Sequence, residues 1–252
     1  MSISTEKLSQ ILLSKSSLNT YLVCPRLYKY IYVDKVPLPP KSPAAQRGID
    51  VHQFCYDFYD YVTVSGSEFY IDQKWLEEQL LIATDEARPF MENFIQLEKE
   101  RWKVCVEHCP EKPEKYFYPV LREEKIVNLG LGMVGIVDRV DLNFDDETYT
   151  VVDYKTEKYD RRPWKLTEHR REMAFYKKLL ENSGLLDGEV THFCIYYPRS
   201  NDVWCEKFNN RTLNALERNM EKVRNAIKAG EFPCKVSVYC RWCELRHICP
   251  ME

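Results

Sequence analysis

The chain has 252 residues, 44% of them hydrophobic and 30% charged, with a formal net charge of −3. This length allows one large domain or two small ones around a substantial core, and the balance excludes a disordered or fibrous chain. No apolar run approaches the roughly 20 residues that span a bilayer, and the opening MSISTEKLSQ lacks the pattern of a secretion signal, so a cytoplasmic protein with no membrane partner is expected.

Taken in order, Ser16 or Ser17 is placed to cap a short helix through Val23, which Cys24-Pro25 ends. The segment VPLPPKSP, residues 36–43, excludes regular structure and leads into a helix over residues 44–61. Residues 71–106 read as helical with a break near Pro89, which makes the N-terminal part a helical cap. The hydrophobic period then changes, and residues 116–127, 131–142 and 149–155 read as strands. A helix over residues 167–182 follows, with Gly184 at its C-terminal end. Residues 190–197 and 203–208 form a second hairpin around Pro198-Arg199-Ser200-Asn201. In the last helix Leu213, Leu216, Met220, Val223 and Ile227 recur at spacings of 3 and 4, and Gly230 closes it. Strands and helices in this order predict an α/β fold with helices packed on a sheet. One integrated domain is expected, with a helical region over residues 1–110, a core over 111–210 and a C-terminal helix and cysteine segment over 211–252.

Charge is uneven along the chain. Between Lys155 and Lys178 there are nine lysines and arginines against Glu157, Asp160, Glu168 and Glu172, a local excess of +5. Such a stretch can hold a phosphate backbone by releasing counterions, or it can be a solvated helix face. Ten cysteines are many for a reducing compartment and call for an explanation other than disulfides. Cys55, Cys105, Cys109, Cys194, Cys205 and Cys234 are scattered and read mostly as small buried hydrophobes. The tail places Cys240, Cys243 and Cys249 at C-x2-C-x5-C spacing, and Cys24, beside Pro25, is the best candidate for a fourth ligand. All-cysteine ligation suits zinc and [4Fe–4S] alike. Cys234 and His247 are weaker candidates for that fourth position.

The chemistry concentrates in LGLGMVGIVDRVDLNFDDETYTVVDYKT, where Asp145-Asp146 is a turn signal between two β-rich runs. A hairpin symmetric about that pair joins residues whose numbers sum to 291. Val140 then faces Val151, Leu142 faces Tyr149, and Asp138 faces Asp153 with Lys155 on the same side. Two opposed, buried carboxylates repel unless a cation compensates them, and Mg²⁺ or Mn²⁺ favours such oxygens. Lys155 can position or deprotonate an attacking water and balance charge. The bland alternative is a structural salt bridge between strands.

Gly135-Ile136-Val137-Asp138 followed by Asp153-Tyr154-Lys155 resembles the signature of the PD-(D/E)XK nuclease superfamily. Further residues resemble its RecB-like iron–sulfur branch, which includes the AddB nuclease subunit and the CRISPR-associated RecB-like exonucleases. Arg47-Gly48-Ile49-Asp50-Val51-His52 is similar to the branch's Gly-to-His helix, whose histidine ligates metal. Glu172 and Tyr176 take the places of its Gln-x-x-x-Tyr motif beside the catalytic strands and DNA, with Glu in place of Gln. The layout of Cys24 with Cys240, Cys243 and Cys249 is similar to the branch's cluster ligands.

The resemblance implies a restriction-endonuclease-like mixed sheet flanked by helices, with an iron–sulfur staple joining the N- and C-terminal segments. Closing that loop of roughly 200 residues would stabilise the fold by on the order of 5 kcal/mol. It also implies a Mn²⁺- or Mg²⁺-dependent exonuclease on single-stranded DNA ends, in CRISPR spacer acquisition or DNA repair, with protein partners from those pathways. His52, Asp138, Asp153 and the main-chain carbonyl of Tyr154 would bind the catalytic metal. Arg161, Arg162, Trp164 and Lys165, with Glu172 and Tyr176, would guide DNA. Glu123 or Glu124 on the preceding strand could add a carboxylate. The rival readings are a non-catalytic DNA-binding or assembly subunit of the same fold, and a zinc-stapled protein-binding module.

Overall fold

A computed structural model describes residues 11–250; the MSISTEKLSQ segment and residues 251–252 lie outside the described residues. The chain divides into two compact units. One draws on the stretches up to Pro40 and from Asn209 onward, together with Val127–Gly135; the other comprises Lys41–Ile126 and Ile136–Phe208.

In the first unit, α1 (Lys15–Val23) is followed by α2 (Pro25–Tyr28) and a π-helical turn, Lys29–Val33. The cap of α1 is Ser14 rather than Ser16 or Ser17. Its hydroxyl accepts from the Ser17 N–H at 3.0 Å, and the Ser17 hydroxyl accepts from the Ser14 N–H at 2.8 Å. A reciprocal pair of this kind satisfies two otherwise orphaned donors, so it wins over a single-residue cap. The C-terminal helix of the unit, Asn210–Lys228, buries Leu216, Met220, Val223 and Ile227 along one stripe, as their spacing predicts. Gly230, at φ +72°, follows it in the left-handed region that glycine tolerates.

The chain's two end segments are tied by hydrogen bonds to main-chain carbonyls of residues 231–233 and 22. The Tyr21 hydroxyl donates to Glu231 O at 2.6 Å, Arg26 Nε to Phe232 O at 2.9 Å, Arg26 N–H to Pro233 O at 3.2 Å, and Lys235 Nζ to Leu22 O at 3.0 Å.

The second unit opens with α3 (Pro43–Asp57), capped by Ser42 and started by Pro43 at its first position. A short hairpin follows, β1 (Val62–Ser65) and β2 (Glu68–Ile71), turning at Gly66 with φ +56°. Sequence reading missed this hairpin. The helix expected from residue 71 is in fact two helices, α4 (Gln73–Ile82) and α5 (Arg88–His108), with Pro89 in the first turn of α5 where its missing N–H costs nothing. The strand expected from residue 116 starts later, because Pro113 opens the short helix α6 (Pro113–Phe117).

The five-stranded sheet has the order β3 (Leu121–Asn128), β4 (Met133–Leu142), β5 (Tyr149–Tyr154), β6 (Val190–Tyr197) and β7 (Asp202–Lys207). β4 and β5 are antiparallel, β5 and β6 parallel, β6 and β7 antiparallel, which makes the sheet mixed. The β5–β6 crossover is α7 (Pro163–Glu181). It begins four residues before the expected start because Pro163 fits a first helical position after an extended Arg162.

All six residues of β5 are buried, as a central strand covered on both faces requires. Val152 and Tyr154 join one core with Val51, Phe54 and Phe58, Phe90, Met91 and Phe94 of α5, and Trp102. The opposite face, which carries Val151 and Asp153, is served by α7, whose Met173, Ala174, Phe175, Leu179 and Leu180 are buried. Cys194 and Cys205 are not separate buried hydrophobes: they are direct partners across β6 and β7 and form a disulfide. Cys55 and Cys105 are buried thiols, as expected.

Beneath the sheet, Arg139 and Glu98 are both fully buried and paired at 2.7 Å. Glu98 also accepts from Arg101 at 2.8 Å, and Arg139 reaches Asp141 and donates to the Tyr59 hydroxyl at 2.6 Å and the Tyr154 hydroxyl at 3.3 Å. Burying the charges is tolerable only because each has several partners.

Candidate active site

The β4–β5 hairpin fixes the site's register. Asn143 N–H donates to Thr148 O at 2.8 Å, and the Asp146 carboxylate accepts from both the N–H and the hydroxyl of Thr148, which closes the turn. The pairs Arg139–Val152, Val140–Val151, Asp141–Thr150 and Leu142–Tyr149 all sum to 291, the register expected from symmetry. One step further out, the Tyr154 N–H donates to Asp138 Oδ2 at 3.0 Å, which brings Asp138 to the end of β5, one residue beyond the Asp153 that the arithmetic names. A one-residue slip would have turned these carboxylates to the opposite face.

α3 delivers His52. Val51, Phe54, Cys55 and Phe58 anchor that helix at i, i+3, i+4 and i+7 spacing, and His52 stands beside the stripe. Its Nε2 lies 3.1 Å from the Tyr154 carbonyl oxygen, and its Nδ1 lies 3.4 Å from Glu123 Oε1 and 3.6 Å from Asp138 Oδ2. Among the described residues, His52, Glu123 and Asp138 have ligand atoms all within 4.8 Å of one another. Glu123, rather than Glu124, is therefore the carboxylate that joins the group. Its φ of +44° places a non-glycine residue in the left-handed region, a conformation costing on the order of 1–3 kcal/mol that recurs at functional sites.

Burial pulls the His52 imidazole down, but the carboxylates of Glu123, Asp138 and Asp153 outweigh it and hold it up at about 9. The same carboxylates give the cluster a strong preference for a positive charge at its centre. A divalent metal answers the same need: one imidazole nitrogen, two carboxylates and a nearby carbonyl form a mixed N/O donor set suited to Mn²⁺ and, through its oxygens, Mg²⁺.

Asp153 is almost completely buried. Lys155 Nζ lies 2.7 Å from Asp153 Oδ2 and 3.3 Å from Glu172 Oε2 of α7. Tyr176, one turn after Glu172, is buried; burial first, and then the carboxylates of Asp138 and Asp153, raise its phenol well above its usual value. His169 was not anticipated. It is buried one turn before Glu172, with Nδ1 3.4 Å from Glu172 Oε2 and Nε2 3.4 Å from Glu157 Oε1. The i, i+3 spacing of His169 and Glu172 was the sequence signal for this contact.

The basic stretch is partly neutralised. Arg162 forks onto Asp160 and lies over the Trp164 ring at 4.7 Å, while Lys165 pairs with Glu157 at 3.1 Å and Glu168 at 3.4 Å. Arg161 lies over the Tyr159 ring at 5.2 Å, and Trp164 is 48% exposed.

In the first unit, Cys24, Cys234, Cys240, Cys243 and Cys249 line one cavity with Arg26, Tyr30 and Trp242. Cys234 Sγ and Cys249 Sγ are 3.7 Å apart, and Cys240 Sγ accepts from the Ser237 N–H at 3.4 Å. Burial, together with Cys234, Cys24 and Cys243, pushes the Cys249 thiol up to about 11. Among the described residues no helix is long and apolar enough to cross a membrane.

No curated protein matches the chain. Among solved structures, one called "Putative exonuclease", from Eubacterium rectale, is similar at a TM-score of 0.47 and 14% sequence identity, with 96% of this chain and 93% of that one covered. The PD-(D/E)XK nuclease superfamily matches residues 12–250, a span that holds the hairpin, the histidine helix and all five thiols of the cavity, and the chain belongs to that superfamily.

Proposed function

We propose that this chain is a divalent-metal-dependent deoxyribonuclease, acting as an exonuclease on single-stranded DNA ends. The observation that carries the reading is the convergence of His52 from α3, Glu123 from β3 and Asp138 from β4 beside the Asp153–Lys155 pair of the adjoining strand. His52, Glu123, Asp138, Asp153 and the Tyr154 carbonyl would hold the metal, which supplies Lewis-acid stabilisation of charge developing on the phosphate. Asp138 is oriented by the Tyr154 N–H, and Lys155, held at Asp153, orients the attacking water and offsets negative charge as phosphorus is approached. Arg161, Arg162, Lys165 and the exposed Trp164 lead a strand towards the site, with stacking on Trp164 tolerant of base identity. Tyr176 is buried within reach of the charges of Asp138 and Asp153. An end-trimming activity of this kind would serve CRISPR spacer acquisition or DNA repair, beside protein partners of either pathway.

The test is cleavage of linear and circular single-stranded DNA and of duplex DNA, each with Mn²⁺, Mg²⁺ or a chelator. Stepwise shortening of the linear strand, an intact circle and complete loss of activity in chelator are expected. Cut circles would replace the exonuclease reading with an endonuclease one. Inactivity on every substrate would leave the non-catalytic DNA-binding reading.

The thiol cavity is proposed to hold a [4Fe–4S] cluster through Cys24, Cys240, Cys243 and Cys249, with a structural role. What supports it is all-thiol chemistry in one cavity, between end segments that hydrogen bonds already bring together. Iron and acid-labile sulfide should be found in anaerobically purified protein and be lost in Cys240→Ala, with a lower melting temperature. Stoichiometric zinc without iron would overturn the cluster.

A further inference from the structure

Lys155 is held from two sides. Its Nζ lies 2.7 Å from Asp153 Oδ2 on its own strand and 3.3 Å from Glu172 Oε2 on α7. The same Glu172 oxygen lies 3.4 Å from His169 Nδ1. His169 Nε2 is 3.4 Å from Glu157 Oε1, and that oxygen is 3.1 Å from Lys165 Nζ. From Asp153 to Lys165 the row therefore alternates between acidic and basic groups: carboxylate, ammonium, carboxylate, imidazole, carboxylate, ammonium. His169 and Glu172 are both buried, so little solvent screens the row at its centre. Burial alone would lower the His169 imidazole, but Glu157 and Glu172 outweigh it and favour its charged form.

A carboxylate facing an ammonium and an imidazole is not presented to a polyanion. A lysine side chain has four rotatable bonds and retains about 2 kcal/mol of rotamer entropy unless something fixes it. An amide at this place would still accept from the Lys155 ammonium, but without the negative charge that makes the pair an ion pair. We propose that Glu172 is a positioning residue for Lys155, held in its rotamer by His169 and Glu157, rather than a contact for DNA.

The inference rests on the nuclease reading of the site, and its test separates the two. The full chain, Glu172→Gln and His169→Gln are compared in steady-state Mn²⁺-dependent cleavage of a labelled single strand, and in DNA binding by anisotropy with Ca²⁺. Both variants should lower kcat, Glu172→Gln by roughly tenfold as supporting partners of catalytic groups do, and His169→Gln by less. KM and the dissociation constant should stay within about twofold, since no substrate contact is lost. Weakened DNA binding with kcat unchanged would overturn the proposal and return Glu172 to the DNA interface.

The second readout needs no activity. In ¹⁵N-labelled protein, the Lys155 ammonium resonance, assigned by its loss in Lys155→Ala, should shift in Glu172→Gln. An unshifted resonance in a variant with a normal melting profile would overturn the contact itself. If the wild-type chain cleaves nothing, the nuclease reading falls, and this resonance still decides whether Glu172 holds Lys155.

Discussion

Replacing Asp153 with alanine should lower Mn²⁺-dependent DNA cleavage by about 10³-fold, the equivalent of about 4 kcal/mol of lost transition-state stabilisation. The size follows from position. Asp153 is nearly fully buried, it is the 2.7 Å partner of Lys155, and its negative charge is felt by both His52 and Tyr176. Its loss removes a metal ligand in the proposed site and, at the same time, the nearer of the two carboxylates that hold the Lys155 ammonium. Because these groups act as a unit, Lys155→Ala should cost a similar amount, and the double variant little more than either single one. Parallel melting curves, with and without Mn²⁺, distinguish the two contributions: Asp153→Ala should lose most of the stabilisation that Mn²⁺ confers on the wild type. Cleavage at the wild-type rate by either single variant would sink the assignment of the catalytic group.

The largest expected effect on stability is at the other face of the sheet. Glu98→Gln should destabilise the fold by about 3–5 kcal/mol, because it leaves Arg139 in the interior with its charge undercompensated. For a chain of this size that corresponds to a fall in melting temperature of roughly 10 °C. The wild-type carboxyl carries a pH signature as well. Burial pushes Glu98 up, but Arg101 and Arg139 outweigh it and hold it below its ordinary value of 4.5. A carboxyl lowered in the folded state contributes stability that is complete above the unfolded value and is lost as pH falls below it. Wild-type melting temperature should therefore drop below pH 4.5 more steeply than that of Glu98→Gln. Identical slopes for the two proteins would show that Glu98 is not the group being titrated.

Much of the site was legible because it depends on period and symmetry. The sum of 291 follows from the turn at Asp145-Asp146, and it places Asp138 near the end of β5 without knowledge of the rest of the fold. His52 was found by resemblance, and the structure adds Glu123 from the strand where two glutamates left the choice open. What escaped depends on long-range pairing. Arg139 and Glu98 are separated by 41 residues, and neither carries a local sign that it would be buried. The hairpin of β1 and β2 has strands of four residues each, too short for alternation to stand out against the helices on either side. The Ser14–Ser17 capping box was obscured by other serines that could serve as caps. Cys194 and Cys205 read as unrelated although their hairpin was expected, because only its register makes them direct partners.

Tyr154 links the two faces of the sheet through a single residue. Its N–H orients Asp138, its carbonyl faces His52, and its hydroxyl reaches Arg139 beneath the sheet. The backbone of the β4–β5 hairpin is thus tied to a ring that packs edge-on to Phe94 and Tyr196 in the core and to His52. Refilling that interior for heat tolerance would act on the same backbone that holds His52 and Asp138 in place. Substitutions that reshape the core around this one ring therefore act on the site as well as on stability.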